Sequence, residues 1–229
     1  MQPSTAMQQP WNGRLWLATD HCLFEGQSGD TRPHAHYAHQ ILLVDKGELG
    51  MKIAGKSYQG SRLVVPSLQQ HAFCEAGQPL LALYLEPQAF HLQTLQAWLA
   101  KAPCEPQAVL AQLRHWSRPA LDGRVQQTLQ TIDALLLERI DANALASRAH
   151  ISLSQLERLF GHQVGLPVRK LILWRRLRLA LSLVLRGSNL TEAAHAANFA
   201  DQAHFSRTLR GMFGIQGQTL RQLQLQLLD

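Results

Sequence analysis

A chain of 229 residues, 46% of them hydrophobic, is long enough for one large or two small domains that each bury a core. No stretch approaches the ~18 uninterrupted apolar residues of a membrane span, and the polar, proline-flanked Met1–Pro10 shows no basic start followed by an apolar run, so neither a membrane span nor a secretory signal is predicted. Positive charge is concentrated late: residues 1–121 hold 9 Lys/Arg against 8 Asp/Glu and residues 122–229 hold 13 against 8, the excess that a polyanion-binding module needs. Cys22, Cys74 and Cys104 are odd in number and form no CxxC pair, which reads as reduced thiols in a cytoplasmic protein.

From Arg14 to Glu86, short runs rich in Val, Ile, Leu and Tyr are separated by Gly, Asp, Pro and Ser. They predict strands at Arg14–Thr19, His21–Glu25, Gln40–Val44, Gly50–Ala54, Arg62–Val65, His71–Cys74 and Leu80–Leu85. Asp45-Lys46-Gly47 and Ala54-Gly55-Lys56 read as hairpin turns. Strands at this regular spacing predict a small antiparallel barrel or double-sheet roll, with a mouth that holds something.

Two pieces of this segment, Gly29 with His34-x-His36-x3-Gln40-x6-Gly47 and Gly60-x5-Pro66 leading to His71, resemble the paired motifs of cupin barrels. In a regular strand, residues of equal parity share a face, so His34, His36 and Gln40 point inward and His39 away, and His71 and Phe73 share a face opposite Cys74. His34, His36, Gln40 and His71 are therefore the expected effector pocket. Cupins that bind metal usually have Glu where Gln40 stands, and Gln is a neutral, weaker ligand. Two readings stay open. His34, His36 and His71 around an open position suit a divalent transition metal such as Zn, Fe, Ni or Cu, but the leading reading is a polar pocket whose histidines hydrogen-bond a small organic effector or one another. No cofactor is certain.

Pro87 ends the strand-rich segment. Gln88–Ala100, with Phe90, Leu92, Leu95, Trp98 and Leu99, and Gln107–Trp116, with Leu110, Leu113 and Trp116, read as helices that pack back on the sheet. Pro103, Pro106 and Pro119 mark breaks, and Ser117-Arg118-Pro119 reads as a linker. Val125–Arg139 carries apolar residues at helical spacing. Val168–Leu185 is a long helix with Arg169, Lys170, Arg175, Arg176 and Arg178 set among leucines. Its position between two similar units argues for a spacer rather than a membrane-surface helix.

Those two units are a repeat. Ile151-Ser152, Leu156 to Phe160 and Gly165 answer, at a constant offset of 49, to Ala200-Asp201, Phe205 to Leu209 and Gly214, while Leu145-Ala146 answer to Ala193-Ala194. Each copy has an alanine-rich helix, a turn residue (His150, Asn198), an N-cap (Ser152, Asp201) and a second helix with one apolar face. Asn and His are tolerated at the positive φ that such a turn needs.

The run Asn198-Phe199-Ala200-Asp201-Gln202-Ala203-His204-Phe205-Ser206-Arg207 followed by Phe213-Gly214-Ile215 resembles the signature of the AraC/XylS transcriptional regulators. The resemblance extends from about Leu121 to the C-terminus through Leu145-Ala146, Arg158-Leu159-Phe160, Gly165, Arg176, Ala180 and Arg221. Where the family usually has Gly in both turns and a Pro after the last Gly, this chain has His150, Asn198 and Gly217. Gly217 removes a stiff start to the last helix.

The resemblance implies an α+β multidomain protein: a cupin-like ligand-sensing antiparallel β-barrel (1–86), a helical connector that often forms the homodimer contact (87–120) and an all-α DNA-binding domain with two helix-turn-helix units (121–229). It implies that Ser154, Gln155, Glu157 and Arg158 face bases in one major groove of double-stranded DNA, and Gln202, Ala203, Ser206 and Arg207 in the next. Arg169, Lys170, Arg175 and Arg176 are candidates for phosphates or internal salt bridges. The expected function is a cytoplasmic transcription regulator, not an enzyme, that senses a small molecule or metal and meets RNA polymerase if it activates. The rival from another class is a metal-dependent cupin enzyme fused to a DNA-binding domain, supported only by the three histidines. A protein-interaction module built on the C-terminal helices is disfavoured by their basic face.

Overall fold

A computed structural model describes residues 9–226. Most of Met1–Pro10, and the side chain of Arg221, lie outside the described residues. The strand-rich segment forms β1 (Asn12–Leu17), β2 (His21–Gln27), β3 (His39–Leu43), β4 (Leu49–Ile53), β5 (Lys56–Gly60), β6 (Arg62–Val65), β7 (His71–Phe73) and β8 (Pro79–Leu85). They make two sheets, one ordered β6-β3-β8-β2-β1 and the other β5-β4-β7. The sheets face one another as an open roll rather than a closed barrel. An isolated antiparallel bridge between His34 and His71 lies between their ends.

Parity explains the layering. Leu23, Ile41, Leu43, Leu81, Leu83 and Leu85 line the outer face of the larger sheet and meet Leu95, Val109, Leu110 and Leu113 of two covering helices, α1 (Leu92–Leu99) and α2 (Pro106–Arg114). Phe24, Leu42, Leu80 and Ala82 point the other way, into the roll, against Leu49, Met51 and Ile53 of the smaller sheet. Central β3 is consequently buried at every position, as a strand covered on both faces must be. β5 escaped prediction because Lys56-Ser57-Tyr58-Gln59 is exposed on both faces and shows no alternation.

The helical half contains α3 (Gly123–Ala134), α4 (Ala142–Arg148), α5 (Leu153–Gln163), α6 (Val168–Leu185), α7 (Leu190–Ala196) and α8 (Gln202–Phe213). The helix expected over Val125–Arg139 stops at Ala134. The carbonyls beyond it are turned outward: Leu136 and Glu138 accept from the Arg176 guanidinium, and Leu137 and Glu138 from the Asn198 amide. The first part of α6 (Leu171, Ile172, Trp174) packs with Leu156 and Phe160 of the first unit, and the later part (Leu177, Ala180) with Ala194, Phe205 and Leu209 of the second. One continuous helix thus belongs to both cores and holds the two units at a set spacing.

The end of the chain departs from expectation. Instead of a final α-helix, Gly217–Gln222 forms a 3-10 helix, and Leu223–Gln226 becomes a ninth strand, β9. β9 runs parallel to β1, with Gly13 opposite Leu223 and Trp16 opposite Gln226. The helical half thereby contributes the edge strand of the N-terminal sheet, and Leu223 joins the core of the roll.

Candidate functional site

The two helix-turn-helix units share their turn geometry bond for bond. His150 has φ 55° and Asn198 φ 58°. The Ile151 amide donates to the Ala146 carbonyl at 3.1 Å, and the Phe199 amide to the Ala194 carbonyl at 2.9 Å. The His150 amide donates to Ser147 and the Asn198 amide to His195. This paired closure satisfies the last carbonyls of α4 and α7 and needs one left-handed residue. The next helix is capped at once. Ser152 Oγ accepts from the Gln155 amide at 3.2 Å while Gln155 Oε1 accepts from the Ser152 amide at 3.0 Å, and Asp201 Oδ1 accepts from the His204 amide at 2.6 Å.

On the outer faces, Ser154, Gln155, Arg158, Gln202, Ala203 and Arg207 are exposed, and Ser206 is half-buried. Gln155 is partly engaged by its cap, and Gln202 Oε1 accepts from Thr191 Oγ1 at 2.7 Å. Glu157, expected to face bases, is half-buried, and its Oε2 accepts from the Val168 amide at 3.2 Å. It caps α6, whose N-cap Pro167 offers no side-chain acceptor.

The four candidate phosphate ligands divide. Arg169 and Lys170 are exposed at the start of α6. Arg176 joins the end of α3 to α6, as described above. Arg175 is buried and pairs with Glu86 at 3.2 Å and Asp133 at 3.5 Å, so the internal salt bridge, not the phosphate, is its partner here.

Glu86 was invisible as a functional residue, and it anchors the junction between the halves. It is 1% exposed and accepts from Arg175, Arg178, Trp174 Nε1 (2.8 Å) and Gln88 Nε2 (3.0 Å). Arg178 also donates to the Ala18, Thr19 and His21 carbonyls. A buried carboxylate with two guanidinium partners and two neutral donors is fully satisfied, which a buried charge requires. The only local hint in the sequence is a carboxylate closing the apolar run Leu80–Leu85.

At this junction the three motif histidines converge. His34, His36 and His71 are 5%, 2% and 2% exposed, and one ring nitrogen of each lies within 4.8 Å of the others. His34 and His36 precede β3, so the regular strand assumed from parity is absent there. The His34–His71 bridge (amide to carbonyl, 3.0 and 2.9 Å) and the Leu68 amide donating to the His36 carbonyl bring them together instead. Each Nδ1 faces a carbonyl two residues away: His34 to Arg32 at 2.8 Å, His36 to Ala38 at 2.9 Å, His71 to Gln69 at 2.8 Å. Among the described residues, the Nε2 atoms of His36 and His71 and Gln40 Oε1 are buried with no hydrogen-bond partner in range, while Gln40 Nε2 donates to Tyr84 Oη at 3.1 Å. His39 is turned elsewhere and accepts from the Ser67 amide.

Burial holds these rings neutral. It drops His34 to about 4, helped by His71, pulls His36 well below the ordinary imidazole value, with His71 and His34 adding to the effect, and lowers His71. Beside the cluster lies a cavity of ≈ 100 Å³ between the halves. Leu15, Leu17 and Phe24 line one wall and Leu181, Leu185 and Leu209 the other, with His34 and Arg178 among its few polar groups.

Residues 145–222 match the helix-turn-helix domain family. The chain is 33% identical over 92 residues to the HTH-type transcriptional regulator YidL of Escherichia coli (strain K12), covering 40% of this chain and 31% of that protein. It is 30% identical over 96 residues to the probable transcriptional regulator LumQ of Photobacterium leiognathi, covering 42% and 36%. The chain thus spans about a third of the length of these curated relatives. ToxT from Vibrio cholerae has a similar fold over 89% of this chain and 98% of its own, with a TM-score of 0.59 at 12% identity. Its unsaturated fatty acid bound form gives 0.56 at 10% identity, over 90% and 96%.

Proposed function

We propose that this chain, whose C-terminal half carries the double helix-turn-helix domain of the AraC-type transcription regulators, is a sequence-specific DNA-binding regulator that responds to a ligand held at its domain junction. One observation carries the reading: two recognition helices with matching caps and turns, each with an exposed arginine, are fixed to a single basic helix that belongs to both cores. Units joined in this way suit successive major grooves, which recur every ~34 Å on one face of the duplex. Arg158 and Arg207 are the candidates for guanine, with Ser154, Gln155, Gln202, Ala203 and Ser206 beside them. Arg169 and Lys170 supply phosphate affinity.

The junction cavity is lined mostly by leucines and aromatic rings, and Arg178 in its wall is already paired with Glu86, which favours an apolar, hydrocarbon-like molecule. That ToxT has been crystallised with an unsaturated fatty acid supports the same class of ligand. The exposed parts of α1 and α2 are the candidate homodimer contact, and RNA polymerase is a further partner if the protein activates. All of this takes place in the cytoplasm.

The test is a selection of duplexes from random sequence followed by footprinting. Protection of about two helical turns, reduced to about one by disruption of either unit, supports the reading. Binding without sequence preference sinks it. The rival reading as a metal-dependent enzyme has only the histidine cluster in its favour.

A further inference from the structure

Each recognition helix carries an exposed glutamine in its first turn, Gln155 in α5 and Gln202 in α8. A free glutamine amide pairs with adenine, its nitrogen donating to N7 while its oxygen accepts from the N6 amino group. Neither oxygen is free here. Gln155 Oε1 accepts from the Ser152 amide at 3.0 Å and from Ser152 Oγ at 3.2 Å, and an amide oxygen has only two lone pairs. Gln202 Oε1 accepts at 2.7 Å from Thr191 Oγ1, a hydroxyl on α7 rather than on its own helix. Among the described residues, no hydrogen bond engages Nε2 of either side chain.

We propose that both glutamines read the major groove through Nε2 alone, as donors to guanine, and that Ser152 and Thr191 are positioning residues that set this choice by holding the oxygens. For Gln155 the arrangement is closed. Its backbone amide donates to Ser152 Oγ at 3.2 Å, the hydroxyl donates on to Oε1, and the Ser152 amide donates to the same oxygen. Because a backbone N–H can meet only an acceptor, these bonds fix which branch of the side-chain amide is oxygen. For Gln202 to accept from adenine, its bond with Thr191 must be given up or shared, whereas donation to guanine leaves that bond intact.

The bases differ in what they ask of such a donor. Adenine would leave its amino hydrogen unmatched in a groove from which water has been expelled, and an unmade hydrogen bond is costly. Guanine offers two adjacent acceptors, O6 and N7. The rest of the first recognition helix agrees. Glu157, which could have accepted from cytosine or adenine, turns Oε2 to the Val168 amide. Arg158, three residues from Gln155 and so its neighbour on one helix face, carries donors only.

This inference rests on the reading of the chain as a sequence-specific regulator, and the experiment separates the two. The full chain and its Gln155→Glu, Gln202→Ala and Thr191→Val variants each select duplexes from random sequence, with thermal melting as the check on folding. Gln155→Glu keeps an oxygen for the Ser152 amide and removes both N–H groups, and Thr191→Val keeps the shape of an exposed side chain and removes its hydroxyl. In the parent, guanine is expected at the position that loses its preference in Gln155→Glu and at the position that loses it in Gln202→Ala. Each loss should be about fivefold or more, the low end of what a base contact discriminates. Thr191→Val should shift the Gln202 position from guanine toward adenine, as the freed oxygen joins Nε2 in pairing, and leave the Gln155 position unchanged. A guanine analogue with carbon in place of N7, set at either position, should weaken the parent and leave the matching glutamine variant unaffected. Adenine at either position in the parent overturns the donor-only reading, as does a site in which no position responds to the glutamines. An unmoved Gln202 position in Thr191→Val overturns the role of Thr191. All three outcomes leave the regulator reading standing, whereas a parent chain that selects no sequence overturns that reading and this inference with it.

Discussion

Phe213 packs against His36 with ring centroids 5.5 Å apart and planes inclined by 30°, so the last residue of α8 rests on the histidine cluster of the sheet domain. Tyr84 and Trp174 complete the aromatic group at 5.7 and 5.9 Å from the Phe213 ring. Phe213→Ala removes a half-buried ring shared by both halves and should lower stability by about 3 kcal/mol, the low end for deleting a core aromatic. Chemical denaturation measures this, and a loss below about 1 kcal/mol would show that the halves do not rest on one another here.

Glu86→Gln should be more damaging than its size suggests. It leaves the Arg175 and Arg178 guanidinium groups in the junction without their shared carboxylate, and breaking a buried ion pair costs about 3–5 kcal/mol. Denaturation should show the two halves unfolding in separate steps. A single transition at the original midpoint would place the carboxylate outside the coupling.

Arg158→Ala and Arg207→Ala should each weaken binding to the selected duplex by about 1–3 kcal/mol while leaving non-specific binding nearly intact. Glu157→Ala should instead lower thermal stability with little change in sequence preference, since its carboxylate caps α6. A relaxed base preference in Glu157→Ala would return it to the base-facing set.

The salt dependence of DNA binding should sort the basic residues of α6. Arg169→Ala and Lys170→Ala should each reduce the slope of log affinity against log salt by about 0.9, the value per phosphate contact on duplex DNA. Arg176→Ala should leave the slope unchanged and cost stability, because its guanidinium serves the carbonyls of Leu136 and Glu138. Equal slopes for all three variants would contradict this division.

Acid should destabilise the sheet domain before its carboxylates titrate. Burial, helped by His91, lowers His39 to about 4, and its Nδ1 accepts from the Ser67 amide, which only the neutral ring can do. Burial and His71 lower His34 to about 4 as well. The unfolded chain takes up these protons first, near ~6.5, so the contribution is intact above that pH and is lost progressively as pH falls toward about 4. Denaturation midpoints measured across this window should decline, and His39→Gln should flatten the decline. A flat profile in the parent chain would mean that these rings are already charged in the fold.

What the sequence determined by itself was local. The positive φ at His150 and Asn198, the caps at Ser152 and Asp201 and the extent of α6 follow from interactions among residues a few positions apart, and the internal repeat marked them twice. Strand parity likewise placed most of the sheet residues, because one covered face imposes a period of two. Tertiary structure decided which charges are free. Arg175, Arg176 and Arg178 lie on one helix with similar neighbours, and only docking against Glu86, Thr19 and the end of α3 separates them from exposed Arg169 and Lys170. The same holds for β9, whose Leu-Gln alternation becomes a strand only because β1 presents a free edge. It holds too for the histidines, where a backbone bridge between His34 and His71, not a regular strand, brings the rings together. Burial of a charge or pairing of an edge depends on surfaces made by residues far apart in the chain, and no local spacing encodes which of those surfaces will meet.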